Sequence, residues 1–275
     1  MLLRFTQVDV FATEPFAGNP VAVVHDADGL DTETMTRIAR WTNLSETTFL
    51  LSPIDPAADY RVRIFTPAEE LSFAGHPTLG TCHAWQAAGG QPADAAAAIQ
   101  ECAAGLIRVR PGAPGWAFAA PPLVRGGPAD DDTIAAAAAA LGLPASALVA
   151  VEWVDNGPGW LAVLVADPAA ALAVQPSYTP LKLGVVALHP PGAGVAAEVR
   201  AFFPKDGAMV EDPVTGSLNA SLAQWLLGSR RLTAPYVASQ GTALGRSGRV
   251  HISQSDGTIW VAGATTTRVA GEIHV

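Results

Sequence analysis

Four side chains combine useful chemistry with an informative setting: Glu46, His76, Asp212 and Ser217. Glu46 sits in the run NLSETTF, at the head of an apolar segment. A carboxylate entering such a segment is partly desolvated, which raises its pKa toward the ~6–7 that suits general acid–base work. The same position would also suit a helix-end cap or a surface charge. His76 follows Gly75 and precedes Pro77. Its imidazole could bond a substrate amine or carboxylate, relay a proton, or simply satisfy a backbone carbonyl. Asp212 opens an Asp-Pro pair, a common turn initiator, yet it could equally bind a substrate ammonium or hydroxyl. Ser217 could donate a hydrogen bond to a substrate carboxylate. It is not read as a nucleophile, because VTGSL is not a G-x-S-x-G elbow.

Gly75 and Gly216 each precede a predicted helix. A helix N-terminus offers free backbone N–H groups and the positive end of a dipole, and glycine lets a ligand approach the backbone closely. A carboxylate or enolate is the natural guest of such a site. Both glycines could also be ordinary turn residues. His76, Cys82 and His83 fit no common metal spacing, so no metal is expected. Gly241 and Gly245 are too loosely placed for a dinucleotide fingerprint.

The elements that must carry these residues follow from periodicity. The opening segment and 21–25 read as strands, joined through a turn at Gly18-Asn19-Pro20 and able to form a hairpin. Asp31 is the expected N-cap of a helix over 32–41. Strands are expected at 46–51, 60–65, 106–110 and 116–118. A buried helix runs from TLGTCHAWQ to the Gly89-Gly90 pair. In the Pro-, Gly- and Ala-rich middle, Asp131-Asp132-Thr133 should cap an oligo-alanine helix that Gly142 ends. Strands are expected at 159–166 and 195–203, then a buried helix SLNASLAQWLLG, then strands at 249–253, 258–262 and in the tail.

The most informative pattern is a repeat. Arg63-Ile64-Phe65-Thr66-Pro67 leads through a loop to Gly75-His76 and a helix; Arg200-Ala201-Phe202-Phe203-Pro204 leads through a longer loop to Gly216-Ser217 and a helix. Trp85 and Trp225 fall at similar places in the two helices. Chance similarity in an Ala-rich chain is the alternative; the expectation is a duplicated chain, with one half at 1–120, completed by the strand 266–275, and the other at 121–265. The two loop–helix junctions are expected to serve one cleft.

The 275 residues are 49% hydrophobic and 15% charged, a globular composition large enough for two cores. A net charge of −9 disfavours nucleic acid as a partner. No apolar run is long enough for a membrane helix, and the first residues do not read as a secretory signal. Two cysteines make no disulfide framework, and both are read as reduced thiols in the cytoplasm.

The segments VDVF-x4-F-x-GNPVAVV, NLSETTF, FTPAEELSFAGHPTLG and EDPVTGSLNA resemble, in order, the signature segments of the PhzF-like family of phenazine biosynthesis. SQG at 239–241 also fits. The resemblance implies an α+β fold shared with diaminopimelate epimerases and proline racemases, each half a mostly antiparallel sheet wrapped around a central helix. It implies a homodimer and a cofactor-independent isomerase acting on a small molecule, the best-known substrate being trans-2,3-dihydro-3-hydroxyanthranilate. By motif, Glu46 would be the acid–base group. His76, Asp212 and Ser217 would bind substrate or assist proton transfer, and Gly75 and Gly216 would offer N–H groups. The epimerase relatives use a cysteine at each Gly-turn position, where this chain has His76 and Ser217. Two other readings stay open: a catalytically silent binding protein, and a two-base racemase working through Glu46 and His76.

Overall fold

Alternation of apolar and polar residues makes the opening segment a strand, β1 (Leu2–Val10). The computed structural model describes residues 1–275 and continues with β2 (Asn19–Val24), α1 (Thr32–Thr42), β3 (Glu46–Leu51), β4 (Tyr60–Phe65) and β5 (Glu70–Leu71). Next come α2 (Gly75–Ala87), β6 (Ala98–Cys102), β7 (Gly105–Pro111), β8 (Trp116–Ala119), β9 (Arg125–Pro128) and α3 (Asp131–Leu141). β10 (Leu148–Asp155), β11 (Trp160–Val165), α4 (Pro168–Ala173), β12 (Lys182–Leu188), β13 (Ala197–Lys205) and β14 (Ala208–Asp212) follow. The chain closes with α5 (Gly216–Gly228), β15 (Tyr236–Gln240), β16 (Gly248–Ser255), β17 (Thr258–Gly263) and β18 (Thr265–His274). The architecture is mixed α+β, rich in strands and poor in helices. It divides into two units, Met1–Ala119 with Ala262–Val275, and Ala120–Val261.

In the first unit β18, β1 and β2 are antiparallel neighbours, and β3 joins β2 in parallel. β4 is antiparallel to β3 and parallel to β6, and β7 and β8 continue antiparallel. Helix α2 touches all eight of these strands. A helix enclosed in this way has no solvent face, so its sequence shows no polar stripe. Gly80 permits the close fit: a Cβ there would lie 2.3 Å from Val21 Cγ1. Thr78 and Thr81, both buried on α2, have partners. Thr81 donates to Thr48, and Gln100 donates to Thr78 while accepting from Tyr60.

The second unit repeats the order. β10 and β11 are antiparallel, α4 follows, and β12 joins β11 in parallel, as α1 precedes the parallel pairing of β2 with β3. β13 is antiparallel to β12 and parallel to β15, with a short antiparallel return strand, β14, before the buried helix α5. α2 and α5 have the same length, 13 residues. The repeat extends to side chains. Arg63 grips Glu70 with two hydrogen bonds of 2.7 and 2.6 Å, and Arg200 grips Glu211 with two of 3.0 and 2.8 Å. Each arginine also lies over the ring two residues on, Phe65 or Phe202. The copies differ in depth, the second pair being buried where the first is partly exposed. Arg200 also donates to the carbonyls of Ala171, Leu172 and Val174, and so closes the end of α4.

Several boundaries differ from expectation. Gly18-Asn19-Pro20 is not wholly a turn, because Asn19 and Pro20 are already in β2. α2 starts at Gly75, one turn earlier than its apolar run indicates, since Pro at an early helical position needs no N–H partner. The cap of α3 is Asp130, whose carboxylate accepts from Thr133 N at 2.8 Å; Asp131 and Asp132 are first-turn residues. The α1 cap is Asp31, as expected. β10, β12 and α4 lie where no element was predicted.

The two arginine pairs should separate in an unfolding experiment. Glu211→Gln leaves a buried guanidinium without its carboxylate and should cost about 3 kcal/mol in urea denaturation. Glu70→Gln, at a partly exposed pair, should cost about 1 kcal/mol or less.

Candidate active site

Glu46 is placed by two features of the chain before it. Asn43 ends α1 in the left-handed region, with φ 53°, a conformation asparagine tolerates. The chain then turns, and β3 begins at Glu46, opposite Val21 of β2. The side chain is 15% exposed, so it is largely desolvated yet reachable.

His76 is the second residue of α2 and is buried. Its Nε2 lies 3.3 Å from Glu46 Oε2, and its Nδ1 lies 3.5 Å from Asn19 Nδ2. Burial pushes its pKa down to about 3, against a smaller opposing effect of a hydrogen bond to the Pro20 backbone. The ring is therefore uncharged at neutral pH, and its contact with Glu46 is not an ion pair. A neutral imidazole has one donor and one acceptor nitrogen, so it can exchange a proton with a neighbour without carrying net charge. Gly75, His76 and Glu46 thus come together in the first unit.

Asn19 was not singled out by the sequence reading. Its position is set by Gly18, where a Cβ would fall 2.1 Å from the Val10 carbonyl oxygen and 2.6 Å from an Asp9 carboxylate oxygen. Only glycine allows β1 and β2 to converge there.

In the second unit, Asp212 ends β14 and Gly216 and Ser217 open α5. Asp212 Oδ2 accepts the Thr215 hydroxyl at 2.6 Å. Ser217 Oγ accepts from the Trp160 indole N–H at 3.1 Å, and the Ser217 carbonyl accepts from Asn156 Nδ2 at 3.0 Å. A hydroxyl has one proton to give, and with a lone pair held by Trp160 that proton points elsewhere. Neither α2 nor α5 has a side-chain cap: Ala74 cannot supply one, and Thr215 does not. The sequence reading missed Thr215, Trp160, Asn156 and Gln240. Gln240 lay within the SQG segment, but only as part of a resemblance.

Cys82 and Cys102 are free and buried. Burial pushes the Cys82 thiol up to about 12 and raises Cys102 as well, so neither is a thiolate at neutral pH. His83 is held by the hydroxyls of Thr265 and Thr267 through its two ring nitrogens. No group of three or more His, Cys, Asp or Glu side chains is arranged to hold a metal ion. No helix is long and apolar enough to cross a membrane.

The family model of phenazine biosynthesis-like proteins, PhzC-PhzF, matches residues 8–272. The chain belongs to this family. The trans-2,3-dihydro-3-hydroxyanthranilate isomerase of Pseudomonas aeruginosa is 36% identical over 90% of this chain and 89% of its own. A Schizosaccharomyces pombe protein named antisense-enhancing sequence 1 is 34% identical over 98% of both chains. The crystal structure of a Bacillus anthracis PhzF-family protein superposes with a TM-score of 0.84 at 23% identity, covering 100% of both chains. The fold is that of PhzF proteins and of the proline and diaminopimelate epimerase-like group. As a PhzF-family member the protein is an isomerase.

The neutrality of His76 has a measurable consequence. Between pH 6.5 and about 3 the unfolded chain binds a proton that the folded chain does not, so stability must fall as pH falls through this window. From ~pH 7 to ~pH 5, the wild type should lose about 2 kcal/mol more than His76→Asn does, measured by urea unfolding. Equal losses would mean that His76 is charged in the fold.

Proposed function

We propose that this PhzF-family protein moves a proton between two carbons of a small, anionic, unsaturated metabolite, with Glu46 as its single acid–base group and no cofactor. The relative from Pseudomonas aeruginosa makes trans-2,3-dihydro-3-hydroxyanthranilate the first substrate to try. The observation that carries the reading is the contact of Glu46 with an uncharged, buried His76. A cationic imidazole would weaken a neighbouring carboxylate as a base. A neutral one leaves it competent and can share its proton.

In this reading the Glu46 carboxylate takes a proton from one carbon of the substrate. The electron pair left behind delocalises into the conjugated system, and the protonated carboxyl then delivers the same proton to another carbon on the same face. The substrate must supply the acidity through its own conjugation, since acid–base help contributes only ~10²–10⁴-fold. His76 assists the transfer. Asp212 binds a substrate ammonium or hydroxyl, or assists the proton. Ser217 gives its free proton to a carboxylate, and the uncapped N–H groups at Gly75 and Gly216 stabilise negative charge. The family resemblance adds a homodimer to this reading, and the reading of Cys82 and Cys102 as reduced thiols adds the cytoplasm.

A two-base racemisation by Glu46 and His76 fits less well. Two groups 3.3 Å apart touch one another and cannot stand on opposite faces of one carbon.

Glu46→Gln should lower kcat on trans-2,3-dihydro-3-hydroxyanthranilate by ~10³-fold or more, while the melting temperature and ligand affinity stay close to wild type. Turnover at the wild-type rate would end the role given to Glu46. A wild-type protein that binds this compound and returns it unchanged would favour the binding-protein reading.

A further inference from the structure

Thr215 occupies the N-cap position of α5, where a threonine hydroxyl ordinarily accepts from the second or third N–H of its own helix. It does not do so here. Its hydroxyl donates to Asp212 Oδ2 at 2.6 Å and accepts from Gln240 Nε2 at 3.0 Å. Gln240 is completely buried, and its amide is saturated. Nε2 also donates to the Asp212 carbonyl at 3.1 Å, while Oε1 accepts from Thr215 N at 3.0 Å and from Asn219 Nδ2 at 2.8 Å. All four hydrogen-bonding positions of the amide are therefore filled.

The direction of these bonds is forced. Nε2 can only donate, so the Thr215 oxygen must accept from it. The single hydroxyl proton is then left for the acceptor on its other side, the Asp212 carboxylate. Two consequences follow from one side chain: Asp212 is gripped from both its backbone and its carboxylate end, and the first-turn N–H groups of α5 stay uncapped. The glutamine reaches the loop from β15, so the grip does not depend on the loop's own stiffness.

We propose that Gln240 is a positioning residue that acts through Thr215, fixing the Asp212 carboxylate and diverting the threonine from capping α5. The inference deepens the role given above to Asp212, and it rests on that role where turnover is concerned. Gln240 touches no reacting atom in this scheme.

The test uses the full-length protein and two independent readouts. The first is amide hydrogen exchange of Ser217 and Leu218 in the absence of any ligand. In Gln240→Met the freed hydroxyl should turn back onto the helix and slow exchange at one of these amides by ~10-fold or more. Unchanged or faster exchange in a folded variant would overturn the diversion. The second is turnover of trans-2,3-dihydro-3-hydroxyanthranilate by Thr215→Val, Thr215→Ser, Gln240→Met and the Val/Met double variant. Thr215→Val should lower kcat ~10–100-fold, Thr215→Ser should stay within ~3-fold of wild type, and the double variant should be no slower than Thr215→Val. Rate losses that multiply in the double variant would refute action through Thr215.

Should Gln240→Met fail to fold, the contrast of Thr215→Val with Thr215→Ser still decides, because equal rates in those two overturn the proposal. Asp212→Asn is run beside them. Full turnover by Asp212→Asn would sink the role of Asp212 itself. Loss of turnover there, with Thr215→Val unaffected, would sink only the positioning proposal. If the wild type does not turn over this compound, the substrate assignment fails, and the exchange experiment alone settles the diversion.

Discussion

Desolvation of α2 is the constraint from which the character of the first unit follows. Eight strands enclose this helix, so whatever its first turn carries is removed from water. An imidazole placed there is pushed toward its neutral form, because burial penalises the cation. His76 therefore contributes no charge to Glu46, only hydrogen-bonding capacity. The same enclosure accounts for the glycine at 80, the threonine partners along the helix and the inert thiol of Cys82. These are solutions to one packing problem rather than separate features.

The second unit meets the same problem with different side chains. Its helix also starts at a glycine and also lacks a cap, but a serine stands where the first unit has histidine. The two units share their architecture down to the bidentate Arg–Glu pair, yet the energetic meaning of that pair differs with depth. On a partly exposed surface the Arg63 pair is a minor contribution. In the interior, Arg200 is tied to Glu211 and to three carbonyls at the end of α4, so its removal would disturb strand, return strand and helix together. The repeat supplies a glycine-led, uncapped helix start in each unit, and the copies differ in the residue that follows the glycine, His76 in one and Ser217 in the other. The cysteines, which would be the active groups of a two-thiol epimerase, are buried elsewhere and held as thiols.

Much of this was open to reading from the chain alone. The alternation in β1 and β4, the Asp31 cap and the Gly142 stop are local signals, because they arise from contacts within a few residues. The strand that Glu46 heads and the junctions at Gly75 and Gly216 were legible for the same reason, and the Arg63 and Arg200 segments exposed the repeat. Ordered motifs from residue 8 onward then indicated the family. β12 escaped notice because a fully buried strand such as KLGVVAL shows no period that separates it from a buried helix segment. The cap of α3 was misplaced by one residue because three consecutive aspartates offer equivalent candidates.

Tertiary structure alone decided the state of the candidate groups. Nothing in GHP indicates that His76 would be neutral, since that depends on strands from both ends of the chain closing over it. Nothing in DPVTGS indicates that Thr215 would turn from its helix to Asp212, since Gln240, 28 residues beyond Asp212, imposes it. A sequence determines which local conformations are accessible and which residue types stand at their ends. Charge state and hydrogen-bond direction depend on what the completed fold removes from water, and that is a property of distant residues brought together.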